Sequence, residues 1–224
     1  MSTSASPQHR PLRADAERNR RRLLRAAREV FAARGLDVAL DDVARHAGVG
    51  VGTVYRRFAN REELVEAVLD EGVRQVAEIA KDALTDDDPW EAFERFFLEA
   101  TAMLAEDRGL REILLLGGHG TGAALETAQA LLTPRVDALI ERAQRSGQLR
   151  DDLEPIDFPM IQLMLGAASE RSRDVEPGQW RRYAGLLLDG LRTRRDGPTA
   201  LGTPALTGNE FYRSMTGHAN ESAR

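Results

Sequence analysis

Apolar residues recur three or four positions apart along most of the chain, and this spacing places them on one face of an α-helix. In the first such segment, about residues 13–34, Leu23, Ala27 and Phe31 follow the spacing, and Gly35 is a typical residue for a helix end. Further helices are predicted over about residues 61–84, 90–107, 109–116, 123–145 (interrupted near Pro134), 155–171 and 177–194. No stretch alternates strictly between apolar and polar residues, so the pattern predicts an all-α fold.

Two short segments lie between the first two long helices. Residues 41–47 and 51–58 each fit a short helix, and Gly48 and Gly50 between them allow a tight turn. The residues that would form the shared apolar face are Leu40, Val43, Ala44, Ala47, Val49, Val54 and Phe58. Two short helices that pack across a glycine turn are typical of a helix-turn-helix, whose second helix enters the major groove of DNA.

The second short helix leaves an outer face that is free to bind DNA. The residues on this face or at its start are Gly50, Val51, Gly52, Thr53, Tyr55, Arg56 and Arg57. The first residues of a recognition helix reach base edges, where Val51 and the methyl group of Thr53 suit a thymine methyl group. Tyr55 and the arginines suit phosphate oxygens, and Arg18 on the first helix is a further candidate contact. The pattern therefore predicts double-stranded DNA as a partner.

The charge is unevenly distributed along the chain. The formal net charge is −5, but residues 1–60 hold 12 arginines against 6 acidic residues, whereas the remainder holds 19 basic and 30 acidic residues. A basic segment joined to an acidic one is expected when a phosphate-binding module is attached to a part that does not contact DNA. An arginine-rich helix face exposed to solvent would give a similar count, so the charge alone leaves both interpretations open.

Several classes of chemistry find no support in the sequence. There is no cysteine, and His9, His46, His119 and His218 lie too far apart for a zinc-binding pattern, so no metal site is predicted. The glycine-rich segment 117–122 lacks the lysine of a phosphate-binding loop and is interpreted as a loop between helices, so no cofactor is predicted. An all-helical enzyme or small-molecule carrier is the alternative to a regulator, but no catalytic arrangement of residues favours it.

The sequence around the two short helices resembles the TetR family of transcriptional regulators. The family signature runs through Ile-Ala, Ala-Gly-Val, Tyr-x-x-Phe and a lysine that opens the fourth helix. The matching residues here are Val43-Ala44, Ala47-Gly48-Val49, Tyr55-x-x-Phe58 and Arg61. The resemblance covers about residues 17–65, and it implies a DNA-binding protein with an all-helical body that holds a small molecule and dimerises.

Three residues depart from the family pattern. Ala39 and Gly50 stand where the family usually has threonine and often serine, so two hydroxyl groups that cap helices and contact phosphate are missing. Arg61 replaces the lysine, and its guanidinium keeps the charge and can grip a phosphate with two hydrogen bonds. We therefore expect the DNA contacts to rely on Tyr55, Arg56, Arg57 and Arg61.

The pattern and the resemblance together predict four parts of the chain. Residues 1–12 are expected to be a disordered arm, and residues 13–62 a three-helix helix-turn-helix domain. Residues 63–195 are expected to form the helical ligand-binding and dimerisation domain, and residues 196–224 a tail with one short helix near residues 209–215. No apolar stretch approaches the roughly 20 residues that cross a bilayer, so we expect a cytoplasmic protein with no membrane partner.

The body is expected to bind an effector and a second copy of the chain. Candidates for the lining of an effector cavity are Phe93, Phe96, Phe97, Met103, Leu114, Leu116, His119 and Met164. Candidates for a homodimer interface are Leu163, Ala167, Tyr183, Leu187 and Leu191. Ordinary core packing is the alternative for both sets. The expected function is a repressor that binds a palindromic operator as a homodimer and is released by a small molecule of unknown identity.

Overall fold

A computed structural model describes residues 9–35, 37–107, 110–111, 122–194 and 197–216. The helices within these ranges are α1 (His9–Arg34), α2 (Leu40–Ala47), α3 (Val51–Tyr55), α4 (Arg61–Ala83), α5 (Pro89–Glu106), α6 (Gly122–Thr127), α7 (Thr133–Arg145), α8 (Asp157–Ser172), α9 (Trp180–Leu191) and α10 (Gly208–Thr216). The described residues contain no β-sheet, and the predicted all-α fold is confirmed. None of the helices in these ranges is both long and apolar enough to cross a membrane.

Helix α1 begins at His9, so residues 9–12 are helical although we expected them to belong to the disordered arm. The reason is that Pro11 lies in the first turn of the helix, where a backbone N–H has no partner inside the helix and its absence is harmless. At the other end of the chain, α10 forms where a short helix was expected, and it packs against α8. Its first turn is held by a capping box, in which Thr207 N donates to Glu210 Oε2 at 2.7 Å.

The signals for helix ends correspond to observed caps. Asp88 accepts hydrogen bonds from the backbone N–H groups of Trp90 and Glu91, with Pro89 as the first residue of α5. The interruption predicted near Pro134 is a π-helical turn, Ala128–Leu132, between α6 and α7. Proline cannot donate to the preceding turn and its ring crowds the carbonyl group four residues earlier, so the helix widens there.

Two hydrophobic cores share helix α4. The first core joins α1, α2 and α3 to the N-terminal half of α4, up to Leu69. The second core begins at Val73 on α4 and contains the later helices up to α9. We call residues 9–69 the head and residues 73–216 the body. The change from head to body therefore lies between residues 69 and 73 of α4, later than the boundary after residue 62 that the sequence predicted.

An ion pair also links the head to the body. Arg28 of α1 donates to Asp107, just after α5, with a distance of 2.8 Å between Nε and Oδ2. The other carboxylate oxygen of Asp107 accepts from the backbone N–H of Leu110 at 2.9 Å. Gly72 of α4 lies close to the side chain of Leu110. A Cβ atom on Gly72 would be 2.8 Å from a methyl carbon of Leu110. The C-terminal end of α5 is therefore held against both α1 and α4.

Candidate nucleic-acid interface and body cavity

The turn between α2 and α3 depends on the backbone conformation of Gly48. Its φ of 63° and ψ of 37° lie in the left-handed region, which favours glycine. The N–H of Gly48 donates to the carbonyl of Arg45 at 3.2 Å, and the N–H of Val49 donates to that of Ala44 at 3.0 Å. This is the pattern of a Schellman motif, which ends a helix and reverses the chain within a few residues.

Arg22 of α1 secures the same turn from outside. Its Nε and Nη2 atoms donate to the carbonyl of Ala47 at 3.1 and 2.6 Å, and Nη2 also donates to the carbonyl of Gly48 at 3.1 Å. These carbonyls lie at the C-terminal end of α2, where a helix has unpaired acceptors and a partial negative charge. The sequence pattern did not single out Arg22, so this structural role was missed.

The apolar inner face of the helix pair is confirmed. Leu40, Val43, Ala44, Ala47, Val54 and Phe58 are buried, and Val49 is half-buried against the same core. Helix α3 ends at Tyr55, three residues earlier than predicted. The backbone N–H of Phe58 still bonds to the carbonyl of Val54 at 2.9 Å, and this last turn carries the Phe58 ring into the core.

The outer face of α3 is exposed, as predicted. Val51 has 39% and Tyr55 has 51% of its surface exposed, although large apolar and aromatic side chains are usually covered. Gly50, Gly52, Arg56 and Arg57 are also exposed. Thr53 is half-buried, and its hydroxyl accepts a hydrogen bond from Arg56 Nη2 at 3.3 Å. The structure thus brings the seven candidate residues of this segment to one surface.

The two lost hydroxyls leave a visible difference between helix ends. Ala39 and Gly50 precede α2 and α3 without any side-chain capping bond. Helix α4, in contrast, is capped by Asn60, whose Oδ1 accepts from the N–H of Glu63 at 2.8 Å. Arg61 begins α4 half-buried and forms an ion pair with Asp37, with 3.1 Å between Nη2 and Oδ1. Its guanidinium is therefore held at the base of the exposed face.

Helix α1 contributes a residue to this surface that the sequence pattern did not single out. A cleft of about 200 Å³ separates α1 from α3, and Asn19, Arg20, Thr53 and Arg57 are among the residues that line it. Arg18 belongs to α1, but its side chain lies outside the described residues. Arg20 and Thr53 line the same cleft although they are far apart in the sequence, so only the tertiary structure reveals this relation.

The body contains a mostly apolar cavity of about 370 Å³. Its apolar lining comes from Val76 on α4, Phe96, Ala100 and Leu104 on α5, Ala128 and Leu132 on the π-helical turn, Val136 on α7, Pro155, Ile156, and Phe158 and Pro159 on α8. The rings of Phe96 and Phe158 stack with 5.3 Å between centroids. A larger cleft of about 440 Å³ lies between α1 and α4, but arginines and Glu71 line much of it, so it does not suit an apolar molecule.

Three polar side chains interrupt the apolar lining of the body cavity: Thr133, Asp137 and Gln162. Gln162 is 1% exposed, and its Oε1 lies 2.9 Å from the hydroxyl oxygen of Thr101. Its Nε2 has no hydrogen-bond partner among the described residues. Burial, and to a lesser degree the neighbouring Glu141, raises the pKa of Asp137 above its ordinary value. Gln162 was missed, although a lone polar residue in the apolar run of α8 could have marked it.

The predicted lining residues are spread over different environments. Phe96 lines the cavity, whereas Phe93 and Phe97 are buried in the body core, Met103 packs partly buried against it, and none of these three lines the cavity. Met164 is 55% exposed and does not line the cavity, so its placement in the lining was wrong: it lies on the exposed face of α8, whereas Gln162 lies on the face at the cavity. Leu114, Leu116 and His119 lie outside the described residues.

The dimer candidates are also divided by the structure. Ala167 is exposed, Tyr183 is 40% exposed, and Leu163 and Leu187 are half-buried. Leu191 is only 7% exposed and belongs to the body core, so it is not available for a partner. The exposed large apolar residues of α8 and α9 are Met160 and Met164 on α8 and Tyr183 and Leu186 on α9. Because α8 and α9 contact each other, these residues are carried by neighbouring helices.

Gly166 on α8 has a role inside one chain. A Cβ atom at this position would lie 2.4 Å from Cδ of Arg111. Arg111 is buried, donates to the carbonyl of Leu104 at 2.8 Å and pairs with Glu170 at 3.2 Å. The structure shows that Gly166 makes room for an arginine of its own chain.

The chain is similar to known regulators over both of its parts. A family described as bacterial regulatory proteins, tetR family, matches residues 23–68, and the C-terminal domain of SbtR-like transcriptional regulators matches residues 88–193. The regulator SrpR of Pseudomonas putida is 30% identical over 182 residues, which cover 81% of this chain and 79% of SrpR.

Solved structures give the same result. A TetR transcription regulatory protein from Mycobacterium vanbaalenii is 35% identical with a TM-score of 0.59, over 82% of this chain and 100% of that one. The TetR regulator SCO0520 from Streptomyces coelicolor is 30% identical with a TM-score of 0.58, over 81% and 99% of the two chains. These relatives are transcriptional regulators by name, and no catalytic activity is named for them. Among the described residues, no group of three His, Asp or Glu side chains could hold a metal ion.

Proposed function

Because this chain belongs to the TetR family of bacterial transcriptional regulators, a family with a DNA-binding helix-turn-helix, we propose that it is a repressor controlled by a small molecule. It binds a palindromic operator as a homodimer, and an effector in the body cavity releases it. The observation that carries this proposal is the exposed outer face of α3, which packing leaves uncovered although it carries Val51 and Tyr55. Such a regulator acts on DNA and therefore in the bacterial cytoplasm.

On the DNA, the residues of the α3 face divide into two roles. Val51 and Thr53 contact base edges in the major groove, because the start of α3 is the part of the helix that reaches deepest. Gly50 and Gly52 carry no side chain, so the backbone can approach the DNA closely there. The residues that contact phosphates are Arg18, Tyr55, Arg56, Arg57 and Arg61, and we add Arg20 because it lines the cleft beside Thr53.

The dimer forms through the exposed apolar residues of α8 and α9. Met160, Met164, Tyr183 and Leu186 are each at least 40% exposed, and an exposed apolar patch of this kind marks an interaction surface. Ala167 lies exposed on the same helix, and Leu163 and Leu187 border the patch half-buried. Two α8–α9 pairs from two copies would pack as a four-helix interface with twofold symmetry. Such symmetry matches a palindrome, whose half-sites lie about 34 Å apart.

Effector and DNA are coupled through α4. This helix carries Arg61 at its first residue and Val76 in the wall of the body cavity, so one rigid element reaches both sites. Fifteen residues of helix span roughly 22 Å. An effector weakens DNA binding only as far as it favours a position of α4 that separates the two recognition helices incorrectly.

The DNA-binding part of the proposal is tested with operator fragments recovered by selection from random DNA. We expect a specific complex whose log affinity falls linearly with log salt concentration, with a slope of about −0.9 per phosphate contacted. Arg61→Ala should lower the affinity for selected and random DNA alike by about tenfold, whereas Val51→Ala should change which sequences are selected. The absence of any selected sequence would refute the proposal. An equal effect of Val51→Ala on both kinds of DNA would refute the assigned role of Val51.

The dimer is tested by sedimentation of a matched pair of variants. Leu186 and Ile156 are aliphatic residues of equal size, and they are 50% and 72% exposed. Ile156, however, lines the body cavity and does not belong to the α8–α9 patch. We expect Leu186→Glu to shift the protein to monomers and Ile156→Glu to leave the dimer intact. Equal behaviour of the two variants would show that the patch is not the interface.

A further inference from the structure

The body cavity has a chemical character that restricts its ligand. Its lining is dominated by aliphatic side chains and by two stacked phenylalanine rings, Phe96 and Phe158. A volume of about 370 Å³ lies within the range of small-molecule sites. Ile156 is 72% exposed and Pro155 is exposed, so they lie at the outer end of the cavity, whereas the buried Phe96 and Ala100 lie at its inner end. An apolar body, such as a pair of fused rings, fits these walls.

Gln162 is the polar residue at the inner part of the cavity. It is 1% exposed, and its Nε2 has no partner among the residues that the structure describes. A buried amide group without a partner is unfavourable unless something supplies the missing hydrogen bond. The hydroxyl of Thr101 lies 2.9 Å from Oε1 of Gln162 and 2.6 Å from the carbonyl of Phe97, so it holds one end of the amide group in place. Nε2 at the other end is buried without such a partner among the described residues, and Gln162 is part of the cavity wall, so a ligand that reaches Nε2 would supply the missing hydrogen bond.

Asp137 sets the charge that the cavity accepts. It lines the same cavity, and no ion pair joins it to a cationic side chain in the described part of the chain. Its neighbour Glu141 is also acidic, and burial disfavours a further negative charge in this region. These acidic residues would therefore repel a ligand that carries a carboxylate group, whereas an uncharged hydroxyl group would not be repelled.

We propose that the effector is an uncharged molecule with an apolar ring system and one hydroxyl group, and that Gln162 determines this specificity by hydrogen bonding to the hydroxyl group. This inference rests on the proposed function, in which the body cavity is the effector site. A hydroxyl group can both donate and accept, so it satisfies the amide of Gln162 in either orientation of its N–H and C=O groups. A hydrocarbon of the same shape would leave the amide group unpaired.

The inference is tested with three probes of one shape, namely naphthalene, naphthol and naphthoate, by equilibrium dialysis against the full chain at neutral pH. We expect naphthol to bind at least about tenfold more tightly than naphthalene, because only naphthol gives the buried amide a partner. Naphthoate should bind at least about tenfold more weakly than naphthol, and Asp137→Asn should remove much of that difference. Equal binding of naphthol and naphthalene, tighter binding of naphthoate, or no binding of any probe would overturn the proposal.

The chain offers a matched control for the role of Gln162. Gln179 is also 1% exposed, and neither its Nε2 nor its Oε1 has a partner among the described residues, but it does not line the cavity. We expect Gln162→Met to remove the preference for naphthol over naphthalene and Gln179→Met to retain it. A preference that survives Gln162→Met, or disappears in both variants, would contradict the assignment.

DNA binding is measured separately on the same preparations. A protein that binds operator DNA but shows no preference for naphthol would refute the inference about the effector and leave the repressor proposal standing. A protein that prefers naphthol but selects no DNA sequence would refute the proposed function while the specificity of the cavity would stand.

Discussion

The head and the body are both made of packed helices, but their candidate sites are assembled in different ways. The exposed face of the head is carried mainly by about a dozen consecutive residues that begin at Gly50 and end at Arg61, with Arg20 of α1 beside them. The cavity of the body is lined by α4, α5, α7 and α8 together with the turns next to them, and Val76 and Gln162 are separated by most of the body's sequence. A surface formed by residues that are neighbours in the sequence is little changed by small shifts in helix packing. A cavity built from four helices depends on where each helix lies.

The largest expected effect comes from removing one buried aromatic ring from each region. Phe58 belongs to the head core and Phe158 to the body core, and both are less than 9% exposed. Each Phe→Ala change should lower the free energy of unfolding by about 3–5 kcal/mol. Specific DNA binding should be lost only with Phe58→Ala, because its ring supports α3. Denaturant unfolding and gel shifts at low temperature measure both effects, and loss of DNA binding by both variants alike would mean that the two regions do not act separately.

A second pair of variants distinguishes two physical reasons why a position requires glycine. Gly48 in the head has a positive φ, whereas Gly166 in the body lacks space because of Arg111. At Gly48, asparagine should be tolerated better than alanine, since asparagine enters the left-handed region more readily. At Gly166 the order should reverse, because the larger side chain displaces Arg111 further. We expect alanine to reduce the free energy of unfolding by about 1–3 kcal/mol at either site. The same order of tolerance at both glycines in thermal unfolding would contradict this distinction.

A third pair compares two helix caps. Asn60 caps α4 in the head and Asp88 caps α5 in the body, each through hydrogen bonds from backbone N–H groups. Replacement by alanine should cost about 1 kcal/mol of unfolding free energy in each case. Only Asn60→Ala should also weaken DNA binding, since it loosens the turn that holds Arg61. Unchanged DNA affinity of Asn60→Ala would show that the cap of α4 does not position Arg61.

The two caps should also differ in their dependence on pH. Hydrogen bonds, above all from the backbone N–H of Glu91, lower the pKa of Asp88 below its ordinary value of 3.8. Its contribution to stability is therefore complete above the ordinary value and is lost as the pH falls through the lowered pKa. The cost of Asp88→Ala should shrink in acid, whereas the cost of Asn60→Ala should not, because an amide does not titrate. Thermal unfolding between neutral and acidic pH measures the difference between the two variants.

The smallest expected effect concerns the link between the regions. The ion pair of Arg28 with Asp107 joins α1 to the end of α5, and the Arg28 side chain is 29% exposed. Solvent screening limits the interaction free energy of such a pair, so a double-mutant cycle with Arg28→Met and Asp107→Asn should give about 0.5–1 kcal/mol. The Arg74–Asp70 pair, within α4 alone, serves as the control. We expect effector-induced loss of DNA binding to diminish only when the pair between the regions is broken.

Residues near one another in the chain were interpreted correctly from their spacing. The inner face of α2 and α3, the tight turn at Gly48 and the helix end at Gly35 all appear in the structure. These features depend on hydrogen bonds and contacts over fewer than about ten residues, so local sequence carries the information that specifies them. Helix ends were less accurate, as the early start of α1 shows, because the first and last turns are held weakly.

Residues whose roles depend on distant parts of the chain could not be interpreted in this way. Leu191 has the spacing of an interface residue, yet the fold places it in the body core, while Leu186 on the same helix remains exposed. The sequence pattern did not distinguish Arg22 from the other arginines of α1. The structure shows that it donates hydrogen bonds to a carbonyl group at the turn between α2 and α3. An apolar or charged side chain has the same local pattern whether a neighbouring helix, a partner or solvent covers it.

The amino-acid sequence was therefore sufficient to identify an all-helical protein with a helix-turn-helix and to name the residues on its outer face. Periodicity, caps and glycine turns are short-range properties, and in the head they coincide with the candidate site. The body cavity, its unpartnered Gln162 and the exposed patch of α8 and α9 required the tertiary structure. Their existence depends on which faces of distant helices meet, and that is decided by the packing of the whole core.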